Sequence, residues 1–549
     1  MHRTLLRAAP LLVALALLAG ACGSGGSGTG AGVTSNFSTA RVSTPPGKGP
    51  LDKLTWYGDY RAPYSEDPLK TADYPEETVL GNVCRPLLRT GPDYSLNPGI
   101  AKSWSQPDSR HLVLDLDPRA TFSDGHPVTT TDVVYSLLRN KDPDEASNYA
   151  DSYADVTSVK ATGARQVTIS FSRPDYVFVR SLGILAGAVV EKEFAVKAGP
   201  NFGNADTGVV CSGPYTIASF DGTNTMVLKR DPAYWDRAHA GKATTLTFRF
   251  LADPSAIANA LTSGSLDGAF DLPPSTITRL RRTANGKLYV GATGSTTQNI
   301  DLIVSRFTGP LSDVRVRQAL SMAIDRDGIA RTLFNGAADP LYTVAGPGMW
   351  QTSPARSVYS AAYQKLVRRP DTGAATELVE KAGATGRQIN IGYAADSPAQ
   401  AQIAQVLQQA GNSIGLKTKI TGLPDQQYGN LFITPKARAP YDSFLTINYL
   451  EYPEAANMYA SYATKNGAQN FNGYTDPTVE ADLSKAQGTP DQRIRAQYVT
   501  RAQAVIARDL PWIPIVAPRA LLFQNKAVTG APLTFSYMDN AWAASMGAP

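Results

Sequence analysis

The residues that most often perform catalysis or bind metals are sparse in this chain, and their spacing fits no common motif. Beyond the N-terminal segment the histidines are His111, His126 and His239, and none has the HExxH spacing of a zinc protease. No GxSxG stretch marks a nucleophilic serine. A glycosidase-type carboxylate pair has no fixed spacing, so the 47 Asp and Glu residues leave that class open. The sequence predicts no enzyme, no metal site and no cofactor.

The N-terminus predicts export. Residues 8–19 form an apolar run that follows two arginines, too short for a transmembrane helix and suited to the core of a signal peptide covering residues 1–21. The stretch LLAGACGSGG resembles the lipobox of bacterial lipoproteins, with Ala19 where leucine is usual. That resemblance implies lipidation of Cys22 and a protein anchored outside the cytoplasm. A secreted protein with an incidental cysteine is the alternative.

Residues 22–50 predict a flexible lipidated tether, because they are rich in Gly, Ser, Thr and Pro. Residues 23–28 match the GxGxxG phosphate-binding pattern by composition alone, since no strand precedes them and no helix follows.

Composition and charge predict no nucleic-acid partner. The chain is 43% hydrophobic and 18% charged with a formal charge of +5, which falls to +3 once Arg3 and Arg7 leave with the signal peptide. No basic run stands out. Two cysteines remain besides Cys22, and in an oxidising compartment Cys84 and Cys211 are expected to form a disulfide, with two buried free thiols as the alternative.

The length beyond the tether, roughly 500 residues, predicts two or three domains, and hydrophobic periodicity predicts an α/β architecture. Residues 111–117 alternate like a strand, and Thr129 to Thr131 are caps for a following helix. Residues 245–251 and the stretch SLDGAFDL are strands on either side of a short helix ending at Gly264, which is the spacing of a crossover in an α/β sheet. Residues 312–336 have the apolar spacing of two short helices packed on a core.

Seven stretches in a fixed order carry a resemblance to family 5 of the bacterial extracellular solute-binding proteins, the dipeptide and oligopeptide receptors of ABC importers. The first contains the family's positions Pro98, Trp104, Phe122, Asp124, Gly125, Pro127, Asp132, Val133 and Ser136. The others include CSGPYTIASF, RDPAYWD, LSDVRVRQALSMAIDRDGIARTLFNGAADP, NFNGYTDPTVEADLSKA and AQAVIARDLPWIPI.

The resemblance implies an α/β, two-lobe periplasmic-binding-protein fold, class II-like and of the large three-subdomain peptide-binding type. Lobe I is expected to combine a core subdomain with a small subdomain, and lobe II to follow as one segment. The expected ranges are 51–80, 190–295 and 505–549 for the core subdomain, 81–189 for the small subdomain and 296–504 for lobe II.

It also implies ligand-binding residues in the cleft between the lobes. Relatives hold a peptide's α-amino group with an aspartate, and Glu451 stands at that position in the stretch TINYLEYPEAANMY. The same stretch supplies Asn448, where tryptophan is common, and Tyr449. Further candidates are Tyr149 from the small subdomain, Trp350 on a loop of lobe II, and Asp59 and Tyr60 near the start of lobe I.

The implied function is a lipid-anchored, monomeric receptor that captures peptides and delivers them to the permease subunits of an ABC importer. Three alternatives stay open: a receptor of the same fold for a chelated metal, haem, a sugar or an opine; a secreted hydrolase; and a structural or signalling lipoprotein.

Overall fold

Nineteen strands in four sheets and fifteen α-helices make up the part of the chain that the computed structural model describes, residues 42–71 and 73–549. The predicted signal peptide, Cys22 and most of the predicted tether lie outside the described residues. The strands are β1 (Leu51–Asp59), β2 (Leu88–Thr90), β3 (Leu96–Pro98), β4 (Ala101–Asp108), β5 (His111–Leu116), β6 (Val156–Gly163), β7 (Gln166–Phe171), β8 (Tyr215–Phe220), β9 (Thr225–Arg230), β10 (Ala243–Phe250), β11 (Gly268–Phe270), β12 (Gly286–Val290), β13 (Asn299–Val304), β14 (Ala338–Pro340), β15 (Gln388–Ala394), β16 (Lys417–Leu423), β17 (Ser443–Asn448), β18 (Trp512–Pro518) and β19 (Leu521–Asn525).

The helices are mostly short and lie beside the sheets. They are α1 (Tyr74–Leu80), α2 (Thr130–Arg139), α3 (Lys192–Ala198), α4 (Pro254–Ser263), α5 (Ile277–Leu280), α6 (Val314–Ala323), α7 (Arg326–Thr332), α8 (Arg356–Gln364), α9 (Thr372–Lys381), α10 (Pro398–Ser413), α11 (Asp425–Ile433), α12 (Pro435–Arg438), α13 (Ala455–Ala463), α14 (Pro477–Gln487) and α15 (Gln492–Asp509). Among the residues described, no helix combines the length and apolar character needed to cross a bilayer.

The core of lobe I is a seven-stranded sheet in the order β12-β19-β11-β1-β10-β9-β8. Its central strand β1 pairs in parallel with both β10 and β11. The predicted strand–helix–strand unit is β10, α4 and β11, and it crosses over β1. Helix α4 begins at its cap Asp253, whose carboxylate accepts a hydrogen bond from the Ala256 amide, and ends at Gly264 with φ of +82°.

The small subdomain contains a four-stranded antiparallel sheet, β4-β5-β7-β6, with α2 packed against it. Helix α2 starts with a capping box, in which Thr129 and Asp132 each accept a hydrogen bond from the other's backbone amide. A disulfide joins Cys84 to Cys211, with their Cα atoms 4.8 Å apart, and so ties the segment after α1 to the chain that enters β8.

Lobe II is built on a six-stranded sheet in the order β14-β18-β13-β17-β15-β16. The two predicted helices of residues 312–336 are α6 and α7, which begin at the N-caps Asp313 and Asp325. The stripe that contains Val316 and Leu320 is fully buried in the core of this lobe. The regularity of this helix pair therefore reflects packing.

Two predicted boundaries need correction. Strand β18 pairs with β13 and β14, so lobe II includes residues 512–518, and the chain returns to lobe I only at β19. Residues 42–50 of the predicted tether lie on the body, because Ser43 and Gly49 form β-bridges with Pro532 and Ala548. The sequence missed both because each pairing joins segments far apart in the chain.

Candidate functional site

Two carboxylates lie side by side where parallel strands of lobe I end. Asp59 is the last residue of β1, and Asp271 directly follows the neighbouring strand β11. The carboxyl ends of parallel strands meet at one edge of a sheet, where ligands of α/β proteins bind. Both residues hold left-handed backbone conformations, with φ of +97° and +43°, a geometry that Asp tolerates better than most residues. We call Asp59 and Asp271 the Asp271 pair.

Gln298 reaches the Asp271 pair from lobe II. Its Nε2 donates hydrogen bonds to Asp271 Oδ2 at 3.2 Å and to the Tyr74 hydroxyl at 2.7 Å. Gln298 is only 5% exposed, and its Oε1 is buried without a hydrogen-bond partner. Because a carboxylate only accepts hydrogen bonds, the contact with Asp271 fixes the orientation of the amide and leaves Oε1 as the unpaired atom.

Three more carboxylates meet across the cleft, Glu77 on α1, Asp539 in the C-terminal segment of lobe I and Glu451 of lobe II. We call them the Glu451 group. Glu77 Oε2 accepts a hydrogen bond from the Tyr449 hydroxyl at 3.3 Å, while its Oε1 has no partner. Asp539 Oδ1 accepts a hydrogen bond from the Leu185 amide at 3.1 Å, and its Oδ2 has no partner. Glu77 is fully buried and Asp539 is 2% exposed.

Aromatic rings connect these two acidic poles. The Tyr74 ring centroid lies 5.1 Å from that of Tyr449 and 5.7 Å from that of Phe535. Tyr449 and Phe535 are 5.3 Å apart, and Phe535 is followed by Tyr537, which stacks on Phe270 at 4.1 Å. These rings form an aromatic wall that links the two poles where lobe I meets lobe II.

Burial shifts the pKa of every member of both poles upward. Burial raises the pKa of Glu451 to about 7 and that of Asp271 to about 6. For Glu77 and Asp539, burial is again the main cause of a raised pKa, and the negative charges of the neighbouring carboxylates add to it. The pKa of Asp59 is raised by burial first and by Asp271 second. The closed cleft therefore favours protons or another cation beside these groups.

The guanidinium of Arg61, two residues after Asp59, is already paired with other carboxylates. Arg61 forms ion pairs with Asp73 at 2.9 Å and with Glu76 at 2.6 Å. Tyr60 donates a hydrogen bond to Asp73 as well. Within residues 42–71 and 73–549, no ion pair includes a member of the Glu451 group or of the Asp271 pair.

Most of the site residues predicted from the sequence lie in or beside the two acidic poles. Glu451 belongs to the Glu451 group, and Tyr449 belongs to the aromatic wall. Asp59 ends β1, and Tyr60 follows it. Tyr149 is buried, and its hydroxyl shares a hydrogen bond of 2.6 Å with Thr71. The charges of Asp539, Glu77 and Glu451 all raise its pKa after burial, which locates it beside that group.

Asn448 and Trp350 differ from expectation. The Trp350 indole is 4% exposed, donates its Nε1–H to the Ala345 carbonyl at 3.1 Å and stacks on Tyr359. It fills the core of lobe II because the loop folds back on that core. The Asn448 amide accepts a hydrogen bond from Gln469 and contacts Met458, all within lobe II.

Four residues of the site were not predicted from the sequence: Asp271, Glu77, Asp539 and Gln298. Asp271 could have been found, since it lies near the end of the predicted strand SLDGAFDL, at the carboxyl edge of the predicted crossover unit. Glu77 and Asp539 carry no local signal, because only the fold brings α1 and the C-terminal segment together.

Comparisons with known proteins agree with this architecture. The family model described as "Bacterial extracellular solute-binding proteins, family 5 Middle" matches residues 95–470. The periplasmic oligopeptide-binding protein OppA of Haemophilus influenzae is 25% identical over 517 residues, which cover 87% of this chain and 92% of OppA.

Solved structures share the fold. The H. influenzae OppA complex with RPPGFSPFR has a TM-score of 0.74 at 21% identity and covers 91% of this chain and 99% of its own. The binding protein AgaA of A. tumefaciens R10 in complex with agropinic acid has a TM-score of 0.77 at 21% identity and covers 90% and 99%. These likenesses confirm the predicted two-lobe α/β fold. The chain belongs to the bacterial extracellular solute-binding proteins of family 5, the transport receptors of ABC importers.

Proposed function

We propose that this protein captures peptides in the cleft between its lobes and delivers them to the permease of an ABC importer. The observation that carries the proposal is the Glu451 group, in which the buried carboxylates Glu77 and Asp539 of lobe I meet the partly buried Glu451 of lobe II. No basic side chain among the described residues pairs with any of the three. An unpaired charge out of water costs several kcal/mol, so a site of this kind is stable when its occupant supplies the cation.

The α-ammonium of a peptide suits the Glu451 group. It is a compact cation with three hydrogen-bond donors, and the group offers two carboxylate oxygens without partners, Glu77 Oε1 and Asp539 Oδ2. Glu451 comes from lobe II and the other two from lobe I, so one ammonium would hold both lobes together. A ligand that favours the closed form in this way fits the hinge closure of binding proteins.

The bound ligands of relatives point to more than one chemistry. H. influenzae OppA was solved with the peptide RPPGFSPFR, and AgaA with agropinic acid. In this chain the two poles are acidic, and an anionic ligand group beside them would meet repulsion. A cationic end on the ligand is therefore favoured, and a peptide supplies one.

The proposal is tested by titration calorimetry on protein freed of co-purified ligand. A tripeptide with a free amine should bind, and the same peptide N-acetylated should lose about 2 to 5 kcal/mol, roughly 30-fold to several thousand-fold in affinity. An amidated C-terminus is the matched control and leaves the ammonium intact. Equal affinity of the free and acetylated peptides, or no peptide binding at all, would contradict the proposal.

We also propose that Cys22 carries the lipid anchor. Loss of its acyl chains in Cys22→Ala should move the protein from the membrane fraction to the soluble fraction, since stable anchoring needs more than one chain. Cys84→Ala with Cys211→Ala is the control for cysteine loss and should stay with the membrane. A Cys22→Ala variant that remains membrane-bound would refute the anchor.

A further inference from the structure

The Asp271 pair is a second negative pole, which contacts lobe II through Gln298 and not through Glu451. Burial and the charge of Asp271 both raise the pKa of Asp59, and burial raises the pKa of Asp271. Gln298 donates to Asp271 but leaves its own Oε1 buried and without a partner. A buried acceptor beside two carboxylates calls for a group with several donors and a positive charge.

The two poles are close together. Tyr74, the first residue of α1, meets Gln298 at the Asp271 pair, and Glu77 of the Glu451 group lies three residues further along α1. Three residues of helix rise about 4.5 Å, and one residue of extended peptide spans about 3.3 Å. Two cations on one ligand would therefore be about one or two peptide residues apart.

From these contacts we propose that the cleft selects peptides that carry a basic side chain on the first or second residue, with that side chain's cation held by Asp59, Asp271 and Gln298. The inference rests on the proposed peptide function and assigns its specificity. Lobe I supplies the two carboxylates and lobe II the amide, so the second cation would also join the lobes.

The ring of Tyr74 lies between the poles and adds to the selection. Its hydroxyl is held by Gln298, and its pKa is raised by burial first and by Asp271 next, so the phenol stays neutral and its ring faces a negative environment. Aromatic faces attract cations, which strengthens the preference for a charged side chain over an apolar one of equal length.

The test compares lysine with norleucine, which keeps the four-carbon chain and removes the ammonium. Lys-Ala-Ala, Ala-Lys-Ala and their norleucine twins are titrated into wild type, Asp271→Asn, Asp59→Asn, Glu451→Gln and Asp52→Asn. Asp52 is exposed near the opposite end of β1 from Asp59 and controls for the change in net charge. Asn tolerates the left-handed backbone that Asp59 and Asp271 adopt, so both cleft variants can keep the native chain path.

In wild type, at least one lysine peptide should bind about 10- to 100-fold tighter than its norleucine twin. Asp271→Asn should erase that preference by weakening the lysine peptide alone, and Asp52→Asn should retain it. Thermal unfolding checks that each variant is folded. If Asp271→Asn does not fold, the loss of lysine preference is measured in Asp59→Asn instead. No lysine preference in wild type, or a preference that survives the folded cleft variants, would overturn the inference.

Other results separate this inference from the proposed function. If norleucine peptides bind in a Glu451-dependent way with no gain from lysine, the second pole has another role while peptide capture stands. If none of the four peptides binds wild type, peptide capture itself fails. If 1,5-diaminopentane binds as tightly as the better lysine peptide, the occupant is a diamine, and the assignment of a peptide side chain is overturned.

Discussion

Two clusters of carboxylates, each with a buried member in lobe I, differ in how their charges are paired. In the first, Arg139 donates two hydrogen bonds to Asp67, at 2.6 and 3.2 Å, and two to Glu145, at 2.7 and 2.9 Å. In the second, Glu77 and Asp539 face Glu451, and no basic side chain in the described part of the chain pairs with them. The pKa of Glu145 is lowered by its hydrogen bond to Arg139, whereas the pKa of Glu451 is raised by burial.

The difference separates structure from function. A carboxylate that stabilises the fold is supplied with its own cation, and Arg139 is held further by the ring of Phe202, 5.0 Å away. A carboxylate kept for a ligand is left unpaired, and the unliganded protein bears the cost. Burial alone does not distinguish the two clusters, since Asp67 and Asp539 are both 2% exposed.

The largest effect is expected where the paired cluster is broken. Arg139→Met leaves Asp67 buried without its cation, which should destabilise the protein by about 3–5 kcal/mol in denaturant unfolding. Arg119→Met removes an ion pair whose arginine is 70% exposed, and should change stability by about 0–1 kcal/mol. A small loss for Arg139→Met, similar to that of Arg119→Met, would show that the pairing does not stabilise the fold.

The next effect is on the pH dependence of binding. The raised pKa of Glu451, about 7, means that its carboxyl is largely neutral at pH 5. Affinity for a peptide with neutral side chains should rise roughly 30- to 100-fold from pH 5 to pH 7.5, since the ligand's α-ammonium stays protonated to about pH 7.7. Calorimetry at both pH values measures this rise, and Glu451→Gln should flatten it. A flat wild-type profile would exclude a titrating carboxylate as the amine partner.

The same titration acts on the unliganded protein with the opposite sign. A carboxyl with a raised folded-state pKa adds stability that is complete below its unfolded pKa, about 4.3, and is lost as pH rises through about 7. The thermal midpoint of the ligand-free protein should therefore fall over that range, and bound peptide should reduce the fall. An unliganded midpoint that rises from pH 5 to pH 8 would contradict the sign.

The smallest effect distinguishes two adjacent residues of α1. Glu77 is unpaired and Glu76 is paired with Arg61, and both are buried. At pH 8, Glu77→Gln should raise the unfolding midpoint of the unliganded protein, whereas Glu76→Gln should lower its stability by about 1–3 kcal/mol. Stability changes of the same sign in the two variants would mean that ion pairing does not distinguish a carboxylate that stabilises the fold from one that binds the ligand.

Much of the fold could be predicted from local pattern. Alternation identified β5 and β10, and the cap Thr129 identified the start of α2, because these signals depend on neighbouring residues alone. The resemblance led to Glu451, but its partners Glu77 and Asp539 come from segments about 370 residues before it and 90 after it. Trp350 failed as a ligand candidate because nothing in a loop sequence tells whether an aromatic ring turns into the core.

The most direct test of the central claim is a double-mutant cycle on the amine contact. Wild type and Glu451→Gln are each titrated with one tripeptide, free and N-acetylated, at pH 7.5. If the unpaired carboxylates bind the ligand's ammonium, Glu451→Gln should weaken binding of the free peptide by about 2 to 5 kcal/mol and change binding of the acetylated peptide little. Equal losses for both peptides would show that Glu451 does not meet the amine, and would contradict the account.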